Sequence, residues 1–544
     1  MKKKILSIVL SLALCFGASI TAFAADPAAS TTNNTQTATA AAAVDHTYEV
    51  YQIFTAEVSG NKFADPAFGS AMTDAIKTEL AKYVGITYTD ASDITAKELV
   101  EKIGAYSDNS KEAQAITKII ADNVDKASAI AVATDGTIAA GEGYYLVKDI
   151  TDISGDEEVY KDHSQLQVVE ADKNNVCKIV VTEKRDTLEV KKKVQDVNDS
   201  IEVKTDWQDS ADYDIGDMVP FQLSATIPAD LAEYTEYTYV FHDVESTGLA
   251  FDKNTVKVYV DNANTPVDSK FYEVRTGANI TDNSGDSFQI EMDLKKIPAG
   301  KTVYVEYESK LTNGAKIGAT GNPNKVRVEF KNDKGGEGKT PWDVVIVFTL
   351  KTTINKVDKE LKSLAGADFK LEKLAATVDA DGKYVVTQKA DPNDATKMID
   401  KVIETKTITT NTEGTSFSAT GLDDGVYKIT ETATPAGFNS IDPIYFVVKA
   451  THTDGDSPEL KSIEVVDFNG KTMVSNAVTG NLGEFVVDKT AGSLDTTIIN
   501  QEGAVLPSTG GIGTTIFYIV GGVLVVGAVV LLIVRRKMGT SEEE

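Results

Sequence analysis

The sequence predicts a mainly β protein in which tandem β-sandwich domains follow one mixed α/β domain. Short segments of alternating apolar and polar residues, separated by Gly, Asn, Asp and Pro, fill the chain from about residue 187 to residue 500. Helical spacing of apolar residues is confined to about residues 70–131. An apolar run near each end has the character of a targeting or membrane segment.

Length and composition narrow the class of protein. The chain has 544 residues, which is enough for three or four domains of about 150 residues each. Its net charge of −28 argues against nucleic acid as a partner, because phosphates need a basic face, and it suits an extracellular surface. Cys15 falls in the predicted signal peptide, so Cys177 stands alone in the mature chain and no internal disulfide is expected.

The N-terminal residues predict a secretory signal peptide, residues 1–24. "MKKK" precedes an apolar run from Ile5 to Ile20, and Ala22–Phe23–Ala24 offers small residues at the cleavage spacing. The mature chain is therefore expected to begin near Ala25. Residues 25–44 are of low complexity and predict a flexible leader.

Residues 45–184 predict the mixed α/β domain, which we call the first module. "HTYEVYQIF", from His46, alternates as a strand does, and "AMTDAIKTELAKYV", "TAKELVEKIGAY" and "EAQAITKIIADNV" have helical spacing. Strand patterns return in "GEGYYLVKDI", "SQLQVVEA" and "CKIVV".

Residues 185–350 and 351–503 predict two sandwich domains, the second and third modules. "VPFQLSATI", "YTYVFHDV" and "KVRVEF" alternate in the second, and "ADFKLEKL", "GVYKITETATPAGF" and "IYFVVKA" in the third. "DADGK" (Asp379–Lys383) and "LDDGV" (Leu422–Val426) predict Asp-Gly hairpin turns. The acidic stretch Asp209–Asp217 lacks the ligand order of a calcium loop, so we expect a solvated loop there.

The sequence offers no signature of an enzyme, a metal site or a cofactor. The four histidines (His46, His163, His242 and His452) are scattered, and no HxxxH, CxxC or serine nucleophile elbow is present. We therefore predict no metal, no cofactor and no enzymatic activity beyond self-modification. An extracellular enzyme is the least favoured class of function.

Two strand patterns place a lysine on an apolar face. Alternation in "LEVKKKV" puts Lys192 on the side of Val190 and Val194, and in "TINKV" it puts Lys356 on the side of Ile354. An interior lysine is costly unless its charge is removed or paired. These lysines are therefore candidates for chemical modification, although a snorkelling or ion-paired lysine would give the same pattern.

The C-terminal segment, residues 504–544, combines a short motif with a predicted membrane segment. "LPSTG" (Leu506–Gly510) precedes 21 uncharged residues, Thr514–Val534, which as a helix would cover roughly 31 Å, about one hydrocarbon thickness. Arg535–Lys537 follow at once and predict a cytoplasmic tail. Pro507 and Gly510 keep the motif extended, because neither suits a helix interior.

Several of these motifs resemble one family. LPSTG, the apolar span and the basic tail resemble the cell-wall sorting signal that sortases process in Gram-positive bacteria. "YKITETATPAGF" resembles the E-box of sortase-assembled pilins, and "NKVD" with "GADFKL" resembles the opening of Cna B-type domains. "FHDVESTGLAF" and "GNPNKVRVEF" resemble segments of the isopeptide-forming second domain of major pilins. The chain thus resembles SpaA-type backbone pilins, whose domains are immunoglobulin-like sandwiches of Cna A and B type.

The resemblance implies two internal isopeptide bonds, each promoted by an acid. The implied groups are Lys192 with Asn324 and the acid Asp243, and Lys356 with Asn500 and the acid Glu431. Asn322 and Asn313 are alternatives to Asn324. Asp243 could instead cap a turn, and Glu431 could be an ordinary strand carboxylate.

The resemblance also implies a link between subunits. A sortase would attack the Thr509 carbonyl within Leu506, Pro507, Ser508, Thr509 and Gly510, and would break the Thr509–Gly510 bond. The accepting amine would be Lys184 of the next subunit, with Lys178 as the second choice. Thr182–Glu183 stand where the family has proline, so an ordinary solvated lysine remains the other interpretation of Lys184.

The implied function is that of the major subunit of a covalent surface pilus that supports adhesion. The implied partners are a pilin-specific (class C) sortase, a housekeeping sortase, other copies of the chain, minor pilins, peptidoglycan, and ligands on host or partner cells. The implied location of the protein is the cell wall, which it reaches after secretion and transient retention in the membrane. The alternative is a monomeric wall-anchored adhesin or a minor pilin at the tip or base.

Overall fold

The computed structural model describes most of the region between the two apolar ends. Described are residues 46–503, apart from 61, 109, 134–135, 154–158, 162–163, 182–187, 262–263, 282–284, 474–477 and 480, together with 524–525, 528–532 and 535. The predicted signal peptide, the leader, Lys184 and the motif Leu506–Gly510 lie outside the described residues.

The described residues of the first module form a sheet and three α-helices. The sheet has the order β2-β1-β5-β7, with β3 also paired to β1, and β4 pairs with β8 separately. The strands are β1 (Tyr48–Ser59), β2 (Lys62–Phe68), β3 (Ala131–Ala133), β4 (Gly136–Ala139), β5 (Gly143–Asp149), β6 (Val159–Lys161), β7 (Gln165–Val169) and β8 (Lys178–Val181). The helices are α1 (Asp74–Val84), α2 (Ala96–Ile103) and α3 (Lys111–Asn123), with 3₁₀ turns at Ala91–Asp93 and Lys126–Ser128.

Each α-helix begins at a side-chain cap. Thr73, Thr95 and Ser110 each accept a hydrogen bond from a backbone N–H in the first turn of α1, α2 and α3. The apolar stripes of these helices pack with one face of the sheet in a single core, in which Ile76 and Ile116 are fully buried.

Two sheets pack face to face in the second module. One has the order β15-β18-β13-β9, and the other has the order β12-β21-β19-β14-β17-β16 with β20 at the side. The strands are β9 (Val190–Val194), β10 (Val197–Asn198), β11 (Val203–Lys204), β12 (Ser210–Asp212), β13 (Met218–Thr226), β14 (Tyr237–Glu245), β15 (Leu249–Val260), β16 (Tyr272–Thr276), β17 (Phe288–Met292), β18 (Thr302–Leu311), β19 (Asn322–Asn332), β20 (Glu337–Lys339) and β21 (Asp343–Phe348). Three 3₁₀ turns lie at Leu231–Glu233, Ser269–Phe271 and Gly277–Asn279. Inward residues of both sheets share one core.

The third module repeats this plan. One sheet has the order β29-β30-β22-β37-β35-β34, with β36 also paired to β37, and the other has the order β28-β23-β31-β32-β33. The strands are β22 (Leu350–Val357), β23 (Asp368–Leu374), β24 (Ala376–Val378), β25 (Tyr384–Val386), β26 (Gln388–Asp391), β27 (Asp394–Asp400), β28 (Val402–Lys406), β29 (Thr409–Thr410), β30 (Ser416–Leu422), β31 (Gly425–Ala433), β32 (Ile444–His452), β33 (Leu460–Val466), β34 (Val478–Thr479), β35 (Leu482–Gly483), β36 (Val486–Asp488) and β37 (Ser493–Ile499). The strands β22 and β37 run parallel, so the beginning and the end of this module lie side by side.

One short strand connects the first module to the second. The strand β6, Val159–Lys161, pairs antiparallel with β20 through the register Tyr160↔Gly338. Lys161 Nζ also lies 3.1 Å from Glu337 Oε1. The strand β6 of the first module therefore extends the larger sheet of the second module at β20.

The two predicted Asp-Gly hairpin turns have different outcomes. "DADGK" does join a hairpin, β24 to β25. "LDDGV" does not, because β30 and β31 belong to opposite sheets and the segment crosses between them. Its Gly425 has φ +157°, and a Cβ there would come within 2.7 Å of Ser200 Oγ and of Lys373 Cε.

The stretch Asp209–Asp217 is not a solvated loop. Asp209, Asp212 and Asp214 are all buried, and β12 runs through the stretch as a strand of the larger sheet. These carboxylates face the third module, so burial by a distant part of the chain overrides what their local composition suggests.

The mainly β class with tandem sandwiches is confirmed. Of the predicted membrane span 514–534, the structure describes 524–525 and 528–532, and these residues are helical. Across the residues that the structure describes, no helix combines the length and the apolar character needed to span a bilayer.

Candidate functional site: two buried lysine groups

Lys192 lies in the interior of the second module, as alternation predicted. It is the middle residue of β9, between the buried Val190 and Val194, and its register partner on β13 is Leu223. Its ammonium group contacts a carboxylate oxygen of Asp243 and donates to the hydroxyl of Tyr307 at 2.7 Å.

The partners predicted for Lys192 come from the opposite sheet. Asp243 lies on β14 and Asn324 on the adjacent strand β19, and both are fully buried. Tyr307, on β18, joins the three groups: its hydroxyl lies 3.1 Å from Asp243 Oδ2 and accepts from Asn324 Nδ2 at 3.0 Å. The structure therefore brings lysine, acid and asparagine around one tyrosine hydroxyl.

Tyr307 was not among the residues that the sequence singled out. A signal for it exists, because alternation in "TVYVEYESKL" puts Tyr307 on the same buried face as Val303 and Val305. A tyrosine hydroxyl on an inward face needs a polar partner, and that requirement marks the position.

Burial favours the neutral forms of both Lys192 and Asp243. It lowers the pKa of Lys192 and raises the pKa of Asp243, although their mutual attraction acts in the other direction. Burial, with the charge of Asp243, also raises the pKa of the nearby Glu245 to about 7. Within the described residues, Asp243 Oδ1 and Asn324 Oδ1 have no hydrogen-bond partner, so one oxygen of each remains available.

The two alternatives to Asn324 have other surroundings. The side chain of Asn322 is buried but already bonded: it accepts from Lys316 N at 2.8 Å and donates to Val347 O at 3.0 Å. Asn313 is exposed in the turn after β18. Of the three asparagines, Asn324 is the one whose side chain contacts Tyr307.

Lys356 is the buried lysine of the third module. It lies on β22 with Ile498 of β37 as its register partner. Its ammonium group donates to the backbone carbonyls of Val357 at 3.2 Å and Ile498 at 3.1 Å. Burial lowers its pKa to about 8, against the opposing charge of Glu431.

Glu431 and Asn500 contact each other directly. Glu431 lies on β31 in the opposite sheet, and its Oε1 accepts from Asn500 Nδ2 at 2.8 Å. Its Oε2 is held by Thr434 Oγ1 at 3.1 Å and by the backbone N–H of Ile441 at 3.2 Å. Asn500 follows β37, and its Oδ1 accepts no hydrogen bond from the part of the chain that the structure describes.

A third buried lysine has a different environment. Lys373 of β23 contacts Asp199 and Asp423, and its Nζ lies 2.8 Å from Asp214 Oδ2. Burial alone would lower the pKa of Lys373, but the three negative charges outweigh it and hold the pKa well above its ordinary value. Lys406 Nζ lies 2.6 Å from the other oxygen of Asp214. Lys373 is therefore a charged partner in a salt-bridge network between the second and third modules.

The predicted residues of the intersubunit link cannot be placed in the same way. Lys184 and Leu506–Gly510 fall outside the described residues. Lys178, the second choice for the accepting amine, is exposed on β8. The lysine–Thr509 link therefore stays a prediction.

Comparison with known proteins gives two family matches. The model described as the SpaA prealbumin-like fold domain matches residues 351–458. The model of the LPXTG cell wall anchor motif matches residues 498–538. The first range contains Lys356 and Glu431, and the second contains Asn500 and the LPSTG motif.

The chain is also similar to individual surface proteins. The trypsin-resistant surface T6 protein of Streptococcus pyogenes serotype M6 is 25% identical over 402 residues, which is 64% of this chain and 68% of that protein. The solved T6 backbone pilin of the same serotype aligns with a TM-score of 0.46 and 15% identity over 85% of this chain and 96% of its own. The major pilin SpaD of Corynebacterium diphtheriae aligns with a TM-score of 0.42 and 15% identity over 84% and 93%.

These matches confirm two predictions. The resemblance to SpaA-type backbone pilins, which rested on short motifs, extends to a family match in the third module and to a curated relative. The predicted attachment to the cell wall rests on the anchor match. The chain is a cell-wall-anchored surface protein that carries a SpaA prealbumin-like fold domain.

Proposed function

We propose that the chain is the major structural subunit of a covalently polymerised surface pilus, anchored to peptidoglycan and supporting adhesion. One observation carries the proposal. In two successive sandwich domains a fully buried lysine of one sheet lies with a carboxyl group of the opposite sheet and a buried asparagine. Such groups can take the place of disulfides, since Cys177 is free and is the one cysteine among the residues described, and a subunit under tension benefits from covalent links inside each domain.

In the second module, Lys192 forms an amide with Asn324. The neutral amine attacks Cγ of Asn324, the N–C bond forms, and the bond from Cγ to the side-chain nitrogen breaks. Asp243, protonated because burial raises its pKa, gives its proton to the leaving nitrogen, which departs as ammonia, and takes up the proton that the attacking amine loses. Tyr307, in contact with all three groups, holds them in register. The reaction removes about 17 Da and needs no cofactor.

In the third module, Lys356 forms the corresponding amide with Asn500. Glu431, which accepts a hydrogen bond from the Asn500 side-chain nitrogen, takes the proton that the attacking amine loses and delivers it to that nitrogen, which leaves as ammonia. The lowered pKa of Lys356 supports this role, because a larger fraction of the amine is neutral and nucleophilic. The bond joins strands at the beginning and at the end of the module.

Assembly uses the sorting signal. A pilin-specific sortase cleaves Thr509–Gly510 and transfers the Thr509 carbonyl to Lys184 of another copy, and a housekeeping sortase transfers the last subunit to peptidoglycan. This head-to-tail contact does not close on itself and so generates an open filament. Minor pilins and ligands on other cells are the remaining partners.

The test is the size distribution of wall extracts. Wild-type protein should give a ladder of high-molecular-weight bands on denaturing gels. Lys184→Ala should abolish the ladder, and the matched variant Lys178→Ala should preserve it. Loss of the ladder in Lys178→Ala alone would move the link to that residue. A single band in the wild type would contradict polymerisation and favour the monomeric adhesin or minor pilin.

A further inference from the structure

A second cluster of polar groups lies between the second and third modules, apart from both lysine groups. Asp196 follows β9 and Asp212 ends β12, whereas His452 ends β32 of the third module. His452 Nε2 lies 3.1 Å from Asp196 Oδ2 and 3.5 Å from Asp212 Oδ1. One ligand atom from each residue lies within 4.8 Å of the other two.

Hydrogen bonding fixes the direction of the imidazole. The hydroxyl of Ser210 donates to the carbonyl of Thr453 at 2.7 Å, so its oxygen is free to accept from His452 Nδ1, also at 2.7 Å. The Nδ1 proton is thereby assigned, and Nε2 is aimed at the two carboxylates. A histidine whose far nitrogen is held in this way has the arrangement that metal-binding histidines use.

The distances suit a shared cation better than a shared proton. A charge-assisted N–H···O bond is about 2.7–2.9 Å long, whereas the hydrogen bond from His452 Nε2 to Asp196 Oδ2 is 3.1 Å long and Asp212 Oδ1 lies 3.5 Å away. Bonds of about 2.0–2.1 Å from a tetrahedral zinc ion to its ligands would separate the ligand atoms by roughly 3.3–3.4 Å. The two separations from Nε2, 3.1 and 3.5 Å, lie on either side of that value.

The cluster has an excess of buried negative charge. Asp212 is 1% exposed, and its Oδ1, which faces His452, has no hydrogen-bond partner among the residues described. Oδ1 of the half-buried Asp424, whose backbone N–H donates to Asp212 Oδ2 at 2.6 Å, also has no hydrogen-bond partner among the residues described. A buried carboxylate such as Asp212 needs pairing or a metal, and the half-buried Asp196 and Asp424 add further negative charge beside it.

We propose that Asp196, Asp212 and His452 bind one divalent cation, of which Zn²⁺ is the best fit, across the joint between the second and third modules. An imidazole with two carboxylates suits zinc, whereas calcium prefers oxygen ligands alone. The sequence shows no ligand motif because the residues come from segments up to 256 positions apart. The cation would fix the angle between two consecutive sandwiches.

Zinc content of the full-length chain is the test. After incubation with ZnCl₂ and desalting, elemental analysis should find about one zinc per chain, falling to near zero in His452→Gln and Asp212→Asn. Zinc at about 100 times its dissociation constant should raise the unfolding midpoint of the wild type by roughly 5–10 °C. A tenfold excess of CaCl₂ should not displace the zinc.

His242→Gln is the matched control, because His242 is even more buried than His452 but has its close carboxylate contact with Asp286, 2.7 Å away and outside the cluster. It should keep its zinc. If either cluster variant fails to fold, X-ray absorption of the wild type decides: a first shell of nitrogen and oxygen near 2.0 Å with one imidazole is expected. No retained zinc in the wild type, or equal loss in His242→Gln, would overturn the proposal.

Discussion

The two lysine groups hold the same three residue types in different contacts. In the second module the acid Asp243 contacts the amine of Lys192, and Asn324 is reached through the hydroxyl of Tyr307. In the third module the acid Glu431 contacts the amide of Asn500, while Lys356 donates to backbone carbonyls.

The difference separates the two tasks of the acid. A carboxyl group beside the amine is placed to remove its proton, and one beside the amide nitrogen is placed to deliver a proton to that nitrogen, which then leaves as ammonia. Since the proposed reaction needs both, each group presents the acid in one of its two positions. Variants at the two sites should therefore fail in different ways.

The largest effect is expected for Asp243→Ala. It removes the acid, so the Lys192–Asn324 bond should not form, and it leaves the buried amine of Lys192 without its polar partner, which should cost about 1–3 kcal/mol of unfolding free energy beyond the lost link. Intact mass should change as well: the wild type should lie about 34 Da below its sequence mass, and the variant about 17 Da below.

The control for Asp243→Ala is Lys191→Ala, because Lys191 is the exposed neighbour of Lys192 on the other face of β9. It should retain the whole deficit and nearly all of the stability. A wild-type mass without any deficit would contradict both cross-links.

Glu431→Gln should have the next largest effect, and this effect should be on the rate at which the Lys356–Asn500 bond forms. The glutamine keeps the hydrogen bond to Asn500 but cannot exchange protons, so bond formation should slow about 10²–10⁴-fold. Freshly synthesised protein should show a deficit of about 17 Da while the second module alone has reacted. Glu464→Gln, at an exposed position of β33, should behave as the wild type. A full 34 Da deficit at the earliest time in Glu431→Gln would argue against the role of the acid.

The third module should also depend on pH. Only the neutral amine is nucleophilic, and the pKa of Lys356 is lowered to about 8. Its neutral fraction, and with it the rate, should therefore rise about ninefold from pH 6 to pH 7 and about fivefold from pH 7 to pH 8, and should level off above. The measurement is the time course of the mass deficit in Asp243→Ala, where Lys356 alone reacts. A rate that is flat or falls over this range would contradict attack by a neutral lysine.

Tyr307→Phe should have the smallest effect and should confine it to the second module. The hydroxyl contributes a hydrogen bond worth about 1 kcal/mol, so its loss should slow the Lys192–Asn324 reaction by roughly 5- to 10-fold without preventing it. Tyr304→Phe, on the other face of β18, is the control. An unchanged rate in Tyr307→Phe would make the tyrosine a packing residue only.

Alternation and turn residues were enough to predict the sandwiches and the inward direction of Lys192 and Lys356, because period-two patterns depend on one strand alone. They were not enough to separate these lysines from Lys373, which has the same pattern in "ADFKLEKL". Lys373 keeps its charge because Asp199 and Asp214 reach it from the second module. That pairing depends on how two domains pack and has no local signal.

The same reason explains the two errors over acidic segments. Asp-Gly in "LDDGV" favours a tight turn. The backbone N–H groups of Asp423 and Asp424 instead donate to carboxylates of the second module, those of Asp214 and Asp212 respectively. Composition predicts solvation for isolated acids, and it cannot anticipate the lysines and the histidine that arrive from more than 150 residues away.

The pairing of β6 with β20 has a consequence for crowding on the cell surface. The edge of a sheet is a row of unpaired N–H and C=O groups, to which a strand of another molecule can add. Here Val159–Lys161 covers part of that edge from within the same chain. Where many identical molecules lie side by side, this paired edge would reduce lateral association by strand addition. It would thereby favour end-to-end growth.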